Sequence, residues 1–150
     1  MNAFLHMLLL FAVAVASQGP SSHPRSKRSL IDLKGIIKCT TGRSLSSYLW
    51  YGCYCGVGGH GKPKDDTDKC CYKHDCCYED AKSKGCNPLT DDYDWKCEDK
   101  MVACDHLTDR CERILCECDR DVAKCLSNAR YNWYYAWWPN FLCGSGRKCD

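Results

Sequence analysis

The densest concentration of chemically capable side chains is Cys70-Cys71-Tyr72-Lys73-His74-Asp75-Cys76-Cys77-Tyr78. Cysteine and histidine are the usual ligands of zinc. A zinc site needs free thiolates, however, and a chain with 16 cysteines, an even number, is expected to spend them on disulfides. What remains is His74, which becomes a general base if a carboxylate fixes its tautomer and raises its basicity. Spacing supplies two such carboxylates. Cys70 and Cys77 are seven residues apart, as are Cys118 and Cys125. Seven residues make two helical turns, so each pair lies on one face. Bonds Cys70–Cys125 and Cys77–Cys118 would clamp two helices antiparallel and set His74 between the rungs, facing the neighbourhood of Asp119 and Asp121. Spacing leaves both aspartates open.

The elements that must hold this pair can be read around it. Leu30, Leu33 and Ile37 recur at helical spacing, with Ser29-x-x-Asp32 as a capping box, which predicts a first helix of about three turns. Between Tyr51 and Lys64 lie Gly52, Gly56, Gly58, Gly59, Gly61 and Pro63, a composition that forbids regular structure and marks a shaped loop. A second helix is expected to start among Asp65 to Asp68 and to run to Gly85 at its C′ position, with acidic residues at its start and Lys82 and Lys84 at its end. Asp65, Asp66 and Asp68 read as solvated helix-start charges. A small hairpin is expected within 93–104, and a third helix from Asp109, with Glu112 at N3, to about Asn128.

Bulk properties set the compartment. A chain of 150 residues makes one domain, and its cysteine density belongs to an extracellular disulfide scaffold. Phe4 to Ala16 is apolar except for His6, too short to span a bilayer, and Ala14-Val15-Ala16 offers a cleavage site. Residues 1–17 are therefore read as a signal peptide. Residues 18–28 read as a propeptide, because Arg25-Ser26-Lys27-Arg28 is a basic tetrad fit for a processing protease. The mature domain would be 29–150. Losing Arg25, Lys27 and Arg28 takes Lys+Arg from 21 to 18 against 19 Asp+Glu, a net charge of −1. That excludes nucleic acid or heparin as partners bound through charge.

Taken together, Tyr51-Gly52-Cys53-Tyr54-Cys55-Gly56-Val57-Gly58-Gly59-His60-Gly61, Asp68-Lys69-Cys70-Cys71-Tyr72-Lys73-His74-Asp75-Cys76-Cys77 and Cys116-Glu117-Cys118-Asp119 closely resemble the secreted phospholipase A2 family. The resemblance covers the whole mature chain. Cys39, Cys76 and Cys149, with the basic propeptide, look like the group X subtype. The fold it implies is mainly α and disulfide-rich, with a short N-terminal helix, a calcium-binding loop, two long antiparallel disulfide-linked helices and a small β-hairpin. It also implies the pairs Cys39–Cys97, Cys76–Cys149, Cys53–Cys143, Cys55–Cys71, Cys86–Cys111 and Cys104–Cys116.

The same resemblance implies roles. Asp75 would give calcium (Ca2+) its carboxylate, and Tyr54, Gly56 and Gly58 their backbone carbonyls, which suits a hard ion. His74 would act as general base on water, Asp119 would orient it in preference to Asp121, and Tyr78 and Tyr93 would support the pair. His60 and His106 are expected to be solvated. A non-catalytic member of the fold (receptor ligand, toxin subunit or matrix protein) is the competing reading, and retention of both His74 and Asp75 argues for an enzyme. The expected partner is a phospholipid membrane surface met by a monomer. About half of the five tryptophans and nine tyrosines should be core, with others such as Trp138 ringing the active-site mouth and Leu30, Ile31 and Leu45 adding apolar contacts.

Overall fold

In the computed structural model, residues 28–146 and 149 are described. The signal peptide and all of the propeptide but Arg28 therefore lie outside the described residues. Helix α1 runs Arg28–Thr41, α2 Asp66–Ser83 and α3 Arg110–Asn128, with strands β1 Lys96–Glu98 and β2 Met101–Ala103 between α2 and α3. Helix α1 buries Leu33, Ile36 and Ile37 and turns Leu30 and Ile31 to solvent. Its start differs from expectation. The helix is already under way at Arg28, so Ser29 does not occupy a cap position. Asp32 instead accepts the indole N–H of Trp95 at 3.2 Å, which fixes the segment before β1 against α1.

The two long helices begin where their acidic residues can cap them. The Asp65 side chain accepts the N–H of Asp68 at 2.8 Å, and that of Asp109 accepts those of Cys111 at 2.8 Å and Glu112 at 3.0 Å. Each satisfies helix donors that would otherwise be orphaned. Helix α2 stops at Lys84 and the left-handed Gly85, as its sequence predicts. The hairpin pairs Lys96 with Ala103, Cys97 with Val102 and Glu98 with Met101. Its turn places both Asp99 and Lys100 at positive φ, the geometry of a tight two-residue connection.

Disulfides complete the frame. Cys70–Cys125 and Cys77–Cys118 join α2 to α3 as two rungs, as their seven-residue spacing predicts. The six pairs implied by the resemblance are all present: Cys39–Cys97, Cys53–Cys143, Cys55–Cys71, Cys76–Cys149, Cys86–Cys111 and Cys104–Cys116. No cysteine is left free, which removes the zinc alternative. Helix α1 packs on α3, and the core between them collects Ile36, Ile37, Leu115, Val122 and Leu126 with Tyr51 and Tyr54. Among the described residues no helix is long and apolar enough to cross a membrane.

Candidate active site

His74 projects from α2 between the two rungs, and its Nε2 lies 2.7 Å from Oδ1 of Asp119 on α3. The Asp119 side chain is 0 % exposed, so its charge is held by hydrogen bonds instead of water. Tyr78 donates its hydroxyl to Oδ1 at 2.6 Å, and Tyr93 donates to Oδ2. Burial first, and then the charge of Asp119, pushes the Tyr93 hydroxyl far above its ordinary range, so it remains a donor. An ionised carboxylate only accepts, so Nε2 carries the hydrogen, and in the neutral imidazole Nδ1 is the nitrogen left with a lone pair. The Tyr78 ring stands 4.1 Å from the imidazole, centroid to centroid, and limits its rotation. Asp121, the rival from spacing, is exposed and pairs with Arg120 at 3.0 Å. Two residues past Asp119 is roughly 200° around the helix, which turns Asp121 to solvent.

Asp75 follows His74 on α2, and the glycine-rich loop passes directly over it. Gly56, Gly58 and Gly59 all have positive φ (135°, 89° and 120°). A Cβ built on Gly59 would stand 2.7 Å from the Tyr54 ring and 3.1 Å from Oδ2 of Asp75. Only glycine lets the backbone come this close to the carboxylate. Tyr54, buried within the loop, donates its hydroxyl to the Gly61 carbonyl at 2.6 Å and so ties the loop across its width. His60 and His106 are exposed, as expected.

One functional contributor escapes the sequence reading. Asp68 is not a solvated helix-start charge: it is 0 % exposed and accepts the N–H groups of Cys53, Tyr54 and Lys64, each at 2.8 Å. Burial raises its pKa, and these three donors act against that rise. One carboxylate therefore fastens the loop at both ends. Gly52 is its complement, since a Cβ there would stand 2.3 Å from the Asp68 Cγ. The available signal was helical spacing: Asp68, Cys71 and Asp75 fall at i, i+3 and i+7 on the face that meets the loop.

The aromatic residues also depart from expectation. Trp138 is half-buried, with the rings of Tyr134 and Tyr135 at 5.8 and 5.4 Å and the Lys64 ammonium 5.1 Å above it. Its indole Nε1 is buried without a hydrogen-bond partner among the described residues. Trp50, Trp133 and Trp137 are exposed in its place, together with Val57 and Phe141. Leu30 and Ile31 are exposed as expected, but Leu45 packs partly against the core.

An imidazole hydrogen-bonded to a buried carboxylate, on helices stapled together by two disulfides, is an arrangement suited to hydrolysis and defines a small disulfide-stapled hydrolase as the class to compare with. Its family is that of the phospholipases A2, whose model, described as Phospholipase A2, matches residues 30–136. The chain belongs to this family and is an enzyme of it. It is 42 % identical to the group 10 secretory phospholipase A2 of Mus musculus over 151 aligned residues, covering 96 % of this chain and 100 % of the relative. Identity to the Homo sapiens protein of the same description is 41 % over 139 residues, covering 88 % of this chain and 84 % of that one. A phospholipase A2 from Meiacanthus atrodorsalis is 57 % identical over 151 residues, covering 100 % of this chain and 99 % of the relative.

Proposed function

We propose that the mature protein, residues 29–150, is a secreted, calcium-dependent phospholipase A2 that acts at membrane surfaces. It hydrolyses the sn-2 ester of glycerophospholipids, phosphatidylcholine included, to a fatty acid and a lysophospholipid. The observation that carries this reading is the buried Asp119 holding His74 at 2.7 Å while Asp75, one residue on, lies beneath the loop. Residues 1–17 are its signal peptide and 18–28 a propeptide removed by a protease that cuts after Arg28.

In this reading Nδ1 of His74 takes a proton from water as the water oxygen bonds to the ester carbonyl carbon. Asp119 stabilises the imidazolium, helped by Tyr78 and Tyr93, and the proton then passes to the leaving glycerol oxygen. No acyl-enzyme forms. The donor set fits calcium: the Asp75 carboxylate with the carbonyls of Tyr54, Gly56 and Gly58, in a loop whose Gly59 leaves the approach to Asp75 open. Bound there, the ion supplies Lewis-acid polarisation of the ester carbonyl and a counter-charge for the phosphate. The Gly56 N–H would contribute to holding the oxyanion.

The test is fatty-acid release from phosphatidylcholine vesicles, with and without calcium. Activity should vanish on chelation and return on adding calcium back. Asp75→Asn should lose both calcium binding, read by fluorescence titration, and turnover, while its melting temperature in chelator stays close to that of the wild type. Unchanged calcium affinity in the variant, or activity that survives chelation, sinks the assignment.

A further inference from the structure

No Asp, Glu, Lys or Arg occurs from Tyr131 to Gly146, so a charged contact to that segment has to come from another element. Lys64, which closes the glycine-rich loop, supplies one. Its ammonium donates to the Leu142 carbonyl at 3.0 Å and lies 5.1 Å from the centre of the Trp138 ring. Leu142 ends the single 3-10 turn Asn140–Leu142, where a carbonyl finds no partner within the turn itself. The next residue is tied to the loop as well. Cys143 is bonded to Cys53 at the loop's start, and its carbonyl accepts the Lys62 N–H at 3.4 Å near the loop's end. Gly61 comes so close that a Cβ there would stand 1.9 Å from the same carbonyl oxygen. The Gly61 carbonyl in turn receives the Tyr54 hydroxyl at 2.6 Å.

Lys64 thus meets both supports of the loop. Its backbone N–H donates to the buried Asp68 at 2.8 Å, and its side chain reaches the segment beyond α3. Between these supports run Tyr54, Gly56 and Gly58, whose carbonyls are the proposed calcium ligands. Donors that must be ordered during binding cost affinity that donors already in place do not. We infer that Lys64 is a positioning residue that clamps the loop between Asp68 and the Leu142 carbonyl and so preorganises the carbonyl ligands for calcium. This role rests on the proposed calcium site and names a side chain, itself no ligand, that shapes it. Charge alone would act in the opposite direction, because a neighbouring ammonium repels a calcium ion. The sign of the change on removing the ammonium therefore decides between clamp and mere charge.

Lys64→Met keeps the aliphatic stem over Trp138 and drops only the ammonium, whereas Lys64→Arg retains a charged donor. Both are compared with the wild type in three measurements. These are calcium affinity by fluorescence titration, turnover of a dispersed short-chain phospholipid at saturating calcium, and hydrogen exchange of backbone amides in chelator. Lys64→Met should weaken calcium binding about fivefold, the scale of one hydrogen bond. Turnover at saturating calcium should hold. Exchange at Cys53, Tyr54 and Lys62 should accelerate while that of α3 does not. Lys64→Arg should restore both affinity and exchange. Unchanged or tighter calcium binding in Lys64→Met overturns the clamp. So does a loss of affinity accompanied by faster exchange throughout α2 and α3, which would make Lys64 a general stabiliser. A wild type that binds no calcium would overturn the calcium reading instead, while exchange in chelator still judges the clamp.

Discussion

At the scale of single residues, Asp119 and Asp68 solve the same problem in two places. Each is a fully buried carboxylate whose charge is offset by three donors, side chains for one and backbone amides for the other. Asp68→Asn keeps the shape but replaces one acceptor oxygen with a donor facing backbone N–H groups. We expect stability to drop by about 1–3 kcal/mol, the usual cost of a buried group left unsatisfied. Calcium affinity should fall as well, because Tyr54 would no longer be pinned, whereas the His74–Asp119 pair would be untouched. Denaturant melts and calcium titration on one variant check this, and wild-type calcium affinity would contradict it. Sequence spacing brought His74 near two aspartates but could not choose between them, because Asp119 and Asp121 flank the line of Cys118 and Cys125 on opposite sides, and the cysteine spacing does not say which side faces His74. Asp68 was missed for a different reason. An aspartate at a helix start looks like a cap, and only the return of the loop onto it reveals three backbone donors.

At the scale of elements, what was legible follows periodicity and caps. The limits of α2 and α3 were readable because Asp65, Gly85 and Asp109 sit where helix ends need them. The hairpin was readable only loosely. Its strands have three residues each and its turn is Asp99-Lys100, without the glycine that advertises a tight turn. Two disulfides followed from helical spacing, and the other six came from family resemblance, since spacing carries no information about partners joined across loops. The bridges should differ in what they support. Cys77–Cys118 closes 41 residues beside His74, and Cys39–Cys97 closes 58 residues between α1 and β1. Chain entropy assigns both roughly 4 kcal/mol as an upper figure. Replacing either pair with alanine should therefore lower the melting temperature by a similar amount. Only Cys77→Ala/Cys118→Ala should also slow turnover of a dispersed substrate below the melting transition, because it frees α2 to shift against Asp119. Equal residual activity in the two double variants would show that this rung does not position the dyad.

At the scale of the whole molecule, the aromatic residues divide between two tasks, and sequence could state the division without assigning it. Tyr48, Tyr51, Tyr54 and Tyr93 are buried, while Trp50, Trp133 and Trp137 face solvent. Helical periodicity does not sort them, because Tyr131 to Trp138 lies beyond α3, where Trp133–Tyr135 form just a single 3-10 turn. Trp138 shows the consequence. It packs against Tyr134 and Tyr135 beneath Lys64, and its backbone N–H is tied to the Trp50 carbonyl. Fully buried tryptophans cost about 3–5 kcal/mol when cut to alanine, so a half-buried one should cost about 2 kcal/mol. Trp138→Ala should accordingly lower the melting temperature by several degrees and weaken vesicle adsorption and short-chain turnover together. Trp138→Phe should recover most of that loss. Its ring keeps the aromatic contacts, and the indole N–H it discards has no hydrogen-bond partner among the described residues. Thermal melts of the two variants, alongside vesicle binding, separate this from a rim position. An alanine variant as stable as the wild type, but defective in adsorption alone, would return Trp138 to the exposed surface with Trp50 and Trp137.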